Sequence, residues 1–77
     1  MPDQQAFVIE AIQSLIERRG GDISIVKPET DLYDDLELDS LEVAELSAML
    51  EDELGTDPYS AGLLPRTVTE VAGFYAG

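Results

Sequence analysis

DSLEVAELSAMLEDELG, residues 39–55, carries the signals of a helix with a definite start and a definite end. Asp39 is followed three positions later by Glu42, which is close to a capping box, where two side chains bond backbone N–H groups at a helix start. Gly55 can take the left-handed conformation that commonly ends a helix. The pattern therefore predicts a helix with Asp39 as its N-cap, Ser40 as its first residue and an end at about Leu54.

This predicted helix has two apolar faces, although packing against a core requires only one. We assign the core face to the larger side chains, which are Val43, Leu46, Met49, Leu50 and Leu54. The other face recurs at helical spacing and consists of Leu41, Ala44 and Ala48, bordered by Glu42, Glu45, Glu51 and Asp52. A second face of small apolar residues ringed by carboxylates indicates a surface on which a partner docks.

The segment before it predicts a first helix and then a long loop. The helix runs from about Gln4 to Arg19, with Asp3 as N-cap, and Gly20 and Gly21 end it. Its apolar stripe is Val8, Ala11, Ile12, Leu15 and Ile16. The loop covers about 21–38, and three of its residues are expected to pack on the core, namely Ile23, Ile25 and Val26.

The segment after it predicts a short third helix and a last helix. Asp57-Pro58 resembles an N-cap followed by a first helical proline, so Tyr59-Ser60-Ala61 would form one short turn before Gly62. Thr67 and Glu70 form a second capping-box pattern that opens a helix to about Ala76. Its inward residues would be Val68, Val71, Ala72 and Tyr75. Residues 1–77 thus predict one all-α domain, a small four-helix bundle (three main helices plus a short third helix) with a long first loop.

The composition argues against an enzyme. The 77 residues include no His and no Cys and carry a formal net charge of −13. The usual general base near neutral pH and the thiolate nucleophile are therefore missing. A chain this short also has little material left for a dry cleft.

Charge and hydropathy also limit the partners. The basic residues are Arg18, Arg19, Lys27 and Arg66. Nucleic acid and anionic membranes would be repelled, whereas a basic protein surface would be attracted. No apolar run approaches the roughly 20 residues of a membrane span, and the N-terminus lacks signal-peptide features. We expect a cytoplasmic monomer that binds neither nucleic acid nor membrane.

A loop dense in carboxylates suggests calcium binding as an alternative function. It contains Asp31, Asp34, Asp35, Glu37 and Asp39. An EF-hand loop needs Gly at its sixth position and Glu at its twelfth; a frame starting at Asp35 has Ser40 and Leu46 there, and one starting at Asp31 has Leu36 and Glu42. A solvated acidic loop without a metal is the better interpretation.

Ser40 is the remaining candidate for chemistry, as an acceptor of modification. At the first position of a helix, a phosphodiester on its hydroxyl would lie near unpaired N–H groups and the positive end of the helix dipole. Serine is also simply a favourable residue near a helix start. Spacing alone leaves both explanations open.

The whole motif resembles the attachment motif of acyl carrier proteins. It reads Asp34-Asp35-Leu36-Glu37-Leu38-Asp39-Ser40-Leu41-Glu42, followed by Glu45-Leu46. The likeness extends over the chain, including the apolar first helix, the long first loop and the small size.

The resemblance implies that a phosphopantetheinyl transferase attaches 4′-phosphopantetheine from coenzyme A to Ser40. The protein would carry acyl or aminoacyl groups as thioesters and present them to acyltransferase, ligase or synthase enzymes with basic docking surfaces. By position, the recognition surface would be Asp39, Leu41, Glu42, Ala44, Glu45, Ala48 and Glu51.

Departures from the family pattern indicate which biosynthetic pathway the carrier would serve. Peptidyl carrier domains usually have glycines just before the serine motif, where this chain has Glu37 and Leu38. Fatty-acid carriers usually have an acidic third-helix region, whereas residues 57–68 look like those of free-standing carriers in polyketide and other natural-product pathways. The alternatives are a carrier of fatty-acid synthesis, or a non-covalent acidic adaptor or weak calcium-binding module.

Overall fold

A computed structural model describes residues 4–76, which form three α-helices and one short 3-10 helix. The helices are α1 (Gln4–Arg18), α2 (Ser40–Leu54) and α3 (Val68–Gly73), and the 3-10 helix is Ile23–Ile25. Within 4–76 there is no strand, and the only β-type pairing is an isolated bridge between Asp31 and Thr67. The all-α prediction is confirmed, and the proposed N-cap Asp3 lies outside the described residues.

Both ends of α2 follow the predicted signals. The Asp39 carboxylate accepts a hydrogen bond from the Glu42 amide at 2.8 Å, and the Glu42 carboxylate accepts one from the Asp39 amide at 3.2 Å. Gly55 takes a φ of 84°, and its N–H donates to the Glu51 carbonyl at 2.9 Å. These local bonds satisfy backbone groups that a helix end otherwise leaves unpaired. α2 therefore begins at Ser40 and ends at Leu54, as the sequence predicted.

The core lies where the three helices meet the long loop. All five residues of the α1 stripe are buried. From α2, Leu46 and Leu50 are fully buried, whereas Val43, Met49 and Leu54 pack against the core from its edge. The loop adds a larger share than predicted, with Val26, Leu32, Leu36 and Leu38. α3 contributes Val68 and Val71, and Ala72 and Tyr75, the latter just beyond the end of the helix, are partly buried, as the pattern predicted.

The prediction of a short third helix, and with it a four-helix bundle, is not confirmed. Residues 58–62 form turns rather than an α-helix. The Gly62 N–H donates to the Tyr59 carbonyl at 3.0 Å, and the Leu63 N–H donates to the Pro58 carbonyl at 2.9 Å. Gly62 takes a φ of 85°, so the chain reverses before a helical ladder can extend.

Two further expectations need correction. Ile23 and Ile25 are 39% and 44% exposed, and only Val26 of that group is buried. The reason is local: the Asp22 carboxylate caps a 3-10 turn through the Ser24 amide, which turns both isoleucines outward. α3 also ends at Gly73 rather than near Ala76.

The long loop is held in place by α3 and the residues before it. The Leu32 amide donates to the Arg66 carbonyl at 2.6 Å, and the Val68 amide donates to the Thr30 carbonyl at 3.1 Å. The Arg66 guanidinium pairs with Asp31 at 3.3 Å and lies 5.3 Å from the centre of the Tyr33 ring. These contacts fix a loop that would otherwise cost much conformational entropy to order.

A buried carboxylate joins the turn segment to α2. Asp57 is fully buried and accepts hydrogen bonds from the Ser47 and Ser60 hydroxyls, both at 2.8 Å, and from the Ser60 amide at 3.0 Å. Burial alone would raise the pKa of Asp57, but the bonds from Ser60, Ser47 and Tyr59 outweigh it and hold that pKa below its usual value. The ionised form is therefore the one that stabilises the fold.

The two faces of α2 can be compared by truncation. Leu46 is fully buried and Leu41 is 68% exposed. We expect Leu46→Ala to lower the free energy of unfolding by about 2–5 kcal/mol, because it leaves a cavity, and Leu41→Ala to change it by less than about 0.5 kcal/mol. Urea denaturation measures both, and a larger loss for Leu41→Ala would reverse the assignment of the faces.

Asp57 makes a pH-dependent contribution. Because its folded pKa lies below the unfolded value of about 3.9, the stabilisation is complete above that value and disappears as the pH falls through the folded pKa. Asp57→Asn should therefore lower the free energy of unfolding most above about pH 5. The difference in this free energy between the variant and the natural chain, here called the gap, should become smaller below about pH 4. Denaturation across this range measures the gap, with Asp52→Asn, an exposed carboxylate of α2, as the control for net charge. A gap for Asp57→Asn that is constant with pH would contradict the assignment.

Candidate functional site

Ser40 is the first residue of α2 and is exposed. Asp39 before it is extended, with φ −91° and ψ 177°, so the chain enters the helix abruptly at this point. Within residues 4–76 the Ser40 hydroxyl makes no hydrogen bond, whereas Ser47 and Ser60 bond the buried Asp57. Ser40 is therefore a serine presented to solvent with its oxygen uncommitted.

The backbone around Ser40 fits a phosphate group. The Glu42 amide is used by Asp39, but the amides of Ser40 and Leu41 have no partner among the described residues. These two N–H groups and the positive end of the α2 dipole lie beside the hydroxyl, and both favour a phosphodiester there. The fit comes from the helix start itself and needs no pocket.

The segment leading to Ser40 is anchored to the core on both sides of one exposed residue. Leu36 and Leu38 are 2% and 6% exposed, and the Leu38 amide donates to the Leu32 carbonyl at 3.0 Å. Glu37 between them takes a φ of 53°, which is the left-handed region and unfavourable for any residue with a Cβ. The position of Ser40 is thus set by a short, strained and well-packed connection.

Arg19 is the residue at this site that the sequence did not predict. Its guanidinium donates to the Leu36 carbonyl at 2.5 Å and to the Glu37 carbonyl at 3.3 Å. It also pairs with the Glu42 carboxylate through two nitrogens, with Nε at 3.1 Å. The sequence indicated only that Arg18 and Arg19 suit the negative end of the α1 dipole, and no local pattern reveals contacts this far along the chain.

The structure divides the predicted recognition surface into two groups. The residues that are exposed are Asp39, Leu41, Ala44, Ala48 and Glu51. Glu42 and Glu45 are only part-exposed, because Arg19 pairs with Glu42 and Arg18 pairs with Glu45. In the first group, the Asp39 carboxylate caps α2 and the Glu51 carboxylate accepts a long bond from the Ser60 hydroxyl at 3.4 Å, yet both remain exposed to a partner. Glu42 and Glu45 are committed to ion pairs within the chain.

The four aspartates of the acidic loop use their carboxylates in hydrogen bonds or ion pairs within the chain. The Asp31 carboxylate accepts from the Tyr33 and Asp34 amides, both at 2.8 Å, and from Arg66. The bond from the Asp34 amide is the main reason that the pKa of Asp31 is lowered. Across residues 4–76 no three potential ligands converge in an arrangement that could hold a metal ion.

Comparison with known proteins identifies the class. The chain matches the family described as "Phosphopantetheine attachment site" over residues 6–73. Three curated relatives, the meromycolate extension acyl carrier proteins of Mycobacterium bovis and of two strains of Mycobacterium tuberculosis, are each 37% identical to it. The alignments cover 96% of this chain and 66% of each relative, so the chain spans just under two thirds of their length. No solved structure matches it.

The chain belongs to the phosphopantetheine attachment family, the family of acyl carrier proteins. Domains of this family hold a covalent 4′-phosphopantetheine and carry groups for synthase and transferase enzymes, without catalysing the reactions themselves. The predictions of family, cofactor and a non-catalytic role are therefore confirmed. Among the described residues, no helix is long and apolar enough to span a bilayer.

The strain at Glu37 predicts a stabilising substitution. Glu37→Gly should raise the free energy of unfolding by about 0.5–1 kcal/mol, because glycine adopts a positive φ without strain. Glycine also gives the unfolded chain more conformational entropy, but this cost is smaller than the strain that is relieved. Thermal or urea denaturation measures this. Glu37→Ala is the matched control, since it removes the same charge and keeps the Cβ. If the alanine variant were as stable as the glycine variant, strain at this position would not be the cause.

Proposed function

We propose that Ser40 is the attachment residue and that the chain carries acyl or aminoacyl groups on the arm held there. The observation that supports this best is the exposed, unbonded Ser40 hydroxyl beside the unpaired amides of Ser40 and Leu41. When bound, the arm supplies a terminal thiol that holds acyl groups as thioesters. The chain positions the attachment oxygen at the rigid start of α2 and leaves it open to a transferase.

The exposed face of α2 is the proposed docking surface for partner enzymes. It consists of Leu41, Ala44 and Ala48, with carboxylates at Asp39 and Glu51. Residues 40–54 contain no Lys or Arg, so the whole helix is acidic. Partners with basic surfaces fit this face, and such contacts are individually weak and screened by salt. Weak docking suits a carrier that has to leave one enzyme before it meets the next.

The pathway has two candidates, each supported by a different observation. Polyketide or related natural-product biosynthesis is supported by residues 58–65, which contain no acidic side chain. Acyl-chain extension of the fatty-acid type is supported by the relatives, which are meromycolate extension acyl carrier proteins. The mass of the group released from the carrier in its producing cell distinguishes a polyketide or amino-acid-derived unit from a long acyl chain.

The attachment is tested by loading in vitro. With coenzyme A and a broad-specificity phosphopantetheinyl transferase, we expect the natural chain to gain one phosphopantetheine and Ser40→Ala to gain none. Intact-protein mass spectrometry measures the gain. Ser14→Ala is the matched control, because Ser14 is another exposed helical serine and its variant should load normally. Loading of Ser40→Ala would show that another residue takes the arm.

A further inference from the structure

Two neighbouring arginines at the end of α1 reach α2 in different ways. Arg18 pairs with Glu45 and makes no other hydrogen bond or ion pair through its side chain within residues 4–76. Arg19 contacts three residues around the start of α2, namely the carbonyls of Leu36 and Glu37 and the carboxylate of Glu42. The Arg19 guanidinium therefore joins the loop before Ser40 to the first turn of the helix after it.

The contacts of Arg19 depend on the shape of its guanidinium. A guanidinium presents several N–H donors in a rigid plane, so one side chain can serve two carbonyls and a carboxylate together. The Glu42 side chain is only 15% exposed, and it also accepts from the Asp39 amide to complete the capping box. Arg19 and the cap thus hold the same carboxylate from two sides.

The anchored segment includes the strained residue. Glu37 keeps a φ of 53° while its own carbonyl and the carbonyl of Leu36 both bond to Arg19. Unfavourable backbone conformations persist where surrounding contacts over-determine them. Without Arg19 the connection can relax, and the start of α2 loses one of the two groups that hold Glu42.

We propose that Arg19 is a positioning residue for modification of the chain. It makes no contact with Ser40, but it holds residues 36–42 in the one conformation that a phosphopantetheinyl transferase binds. This inference rests on the proposed function, because it assumes that the arm is attached at Ser40. A pre-organised segment binds more tightly than one that has to be ordered on docking, so the effect should fall on binding rather than on the chemical step.

The test uses the rate of arm transfer at increasing carrier concentration for three variants and the natural chain. We expect Arg19→Gln to raise the KM for the carrier about tenfold with kcat within about twofold. Arg18→Gln is the matched control, since it removes the same charge and an ion pair to the same helix, and its KM should stay within about twofold of the natural value. Arg19→Lys keeps the charge but not the planar donors and should resemble Arg19→Gln.

Amide hydrogen exchange gives a second readout that does not depend on the transferase. Exchange in residues 36–42 should become faster in Arg19→Gln and Arg19→Lys, and should be unchanged there in Arg18→Gln. Equal KM values for the two glutamine variants, or natural behaviour of Arg19→Lys, would overturn the inference. If Arg19→Gln does not fold, Arg19→Lys carries the comparison. Failure of the natural chain to take an arm would instead refute the proposed function.

Discussion

The start of α2, where Ser40 lies, depends on the hydrogen bonds of the Glu42 carboxylate. This carboxylate accepts a hydrogen bond from the Asp39 amide, which closes the capping box, and it pairs with Arg19 from the end of α1. One side chain therefore bonds both the residue that caps α2 and the residue that follows α1. Ser40 is between the two halves of this box, so its position follows from bonds that it does not itself make.

Most of the positive charge of the chain is used in ion pairs within the fold. Three of the four basic residues form such pairs, namely Arg18, Arg19 and Arg66. Arg18 and Arg19 join the end of α1 to α2, and Arg66, just before α3, pairs with Asp31 in the long loop. With a net charge of −13, this leaves most of the surface acidic, and α2 most uniformly so. α2 contributes no positive charge to the docking face, because its own sequence contains no Lys or Arg.

The sequence predicted what is decided locally. Caps at Asp39 and Thr67, the glycine after α2 and the stripe of α1 all depend on neighbours within a few residues, and each was found as expected. What it missed depends on distant parts of the chain. The contacts of Arg19 span 17–23 residues, and the bond between Ser47 and the buried Asp57 spans 10. Periodicity does not encode such pairs.

The central claim is that a single exposed serine at the start of α2 carries the arm. Its most direct test is fragmentation mass spectrometry of the protein isolated from its own producing cells. Cleavage after glutamate separates Ser40 from Ser47 and Ser60, because Glu37, Glu42 and Glu51 lie between or beside them. The account predicts one phosphopantetheine, with or without an acyl group, on the fragment that contains Ser40, and none on fragments containing Ser14, Ser24, Ser47 or Ser60. An arm on one of those other serines, or an unmodified Ser40 in cells that contain an active transferase for this carrier, would contradict it.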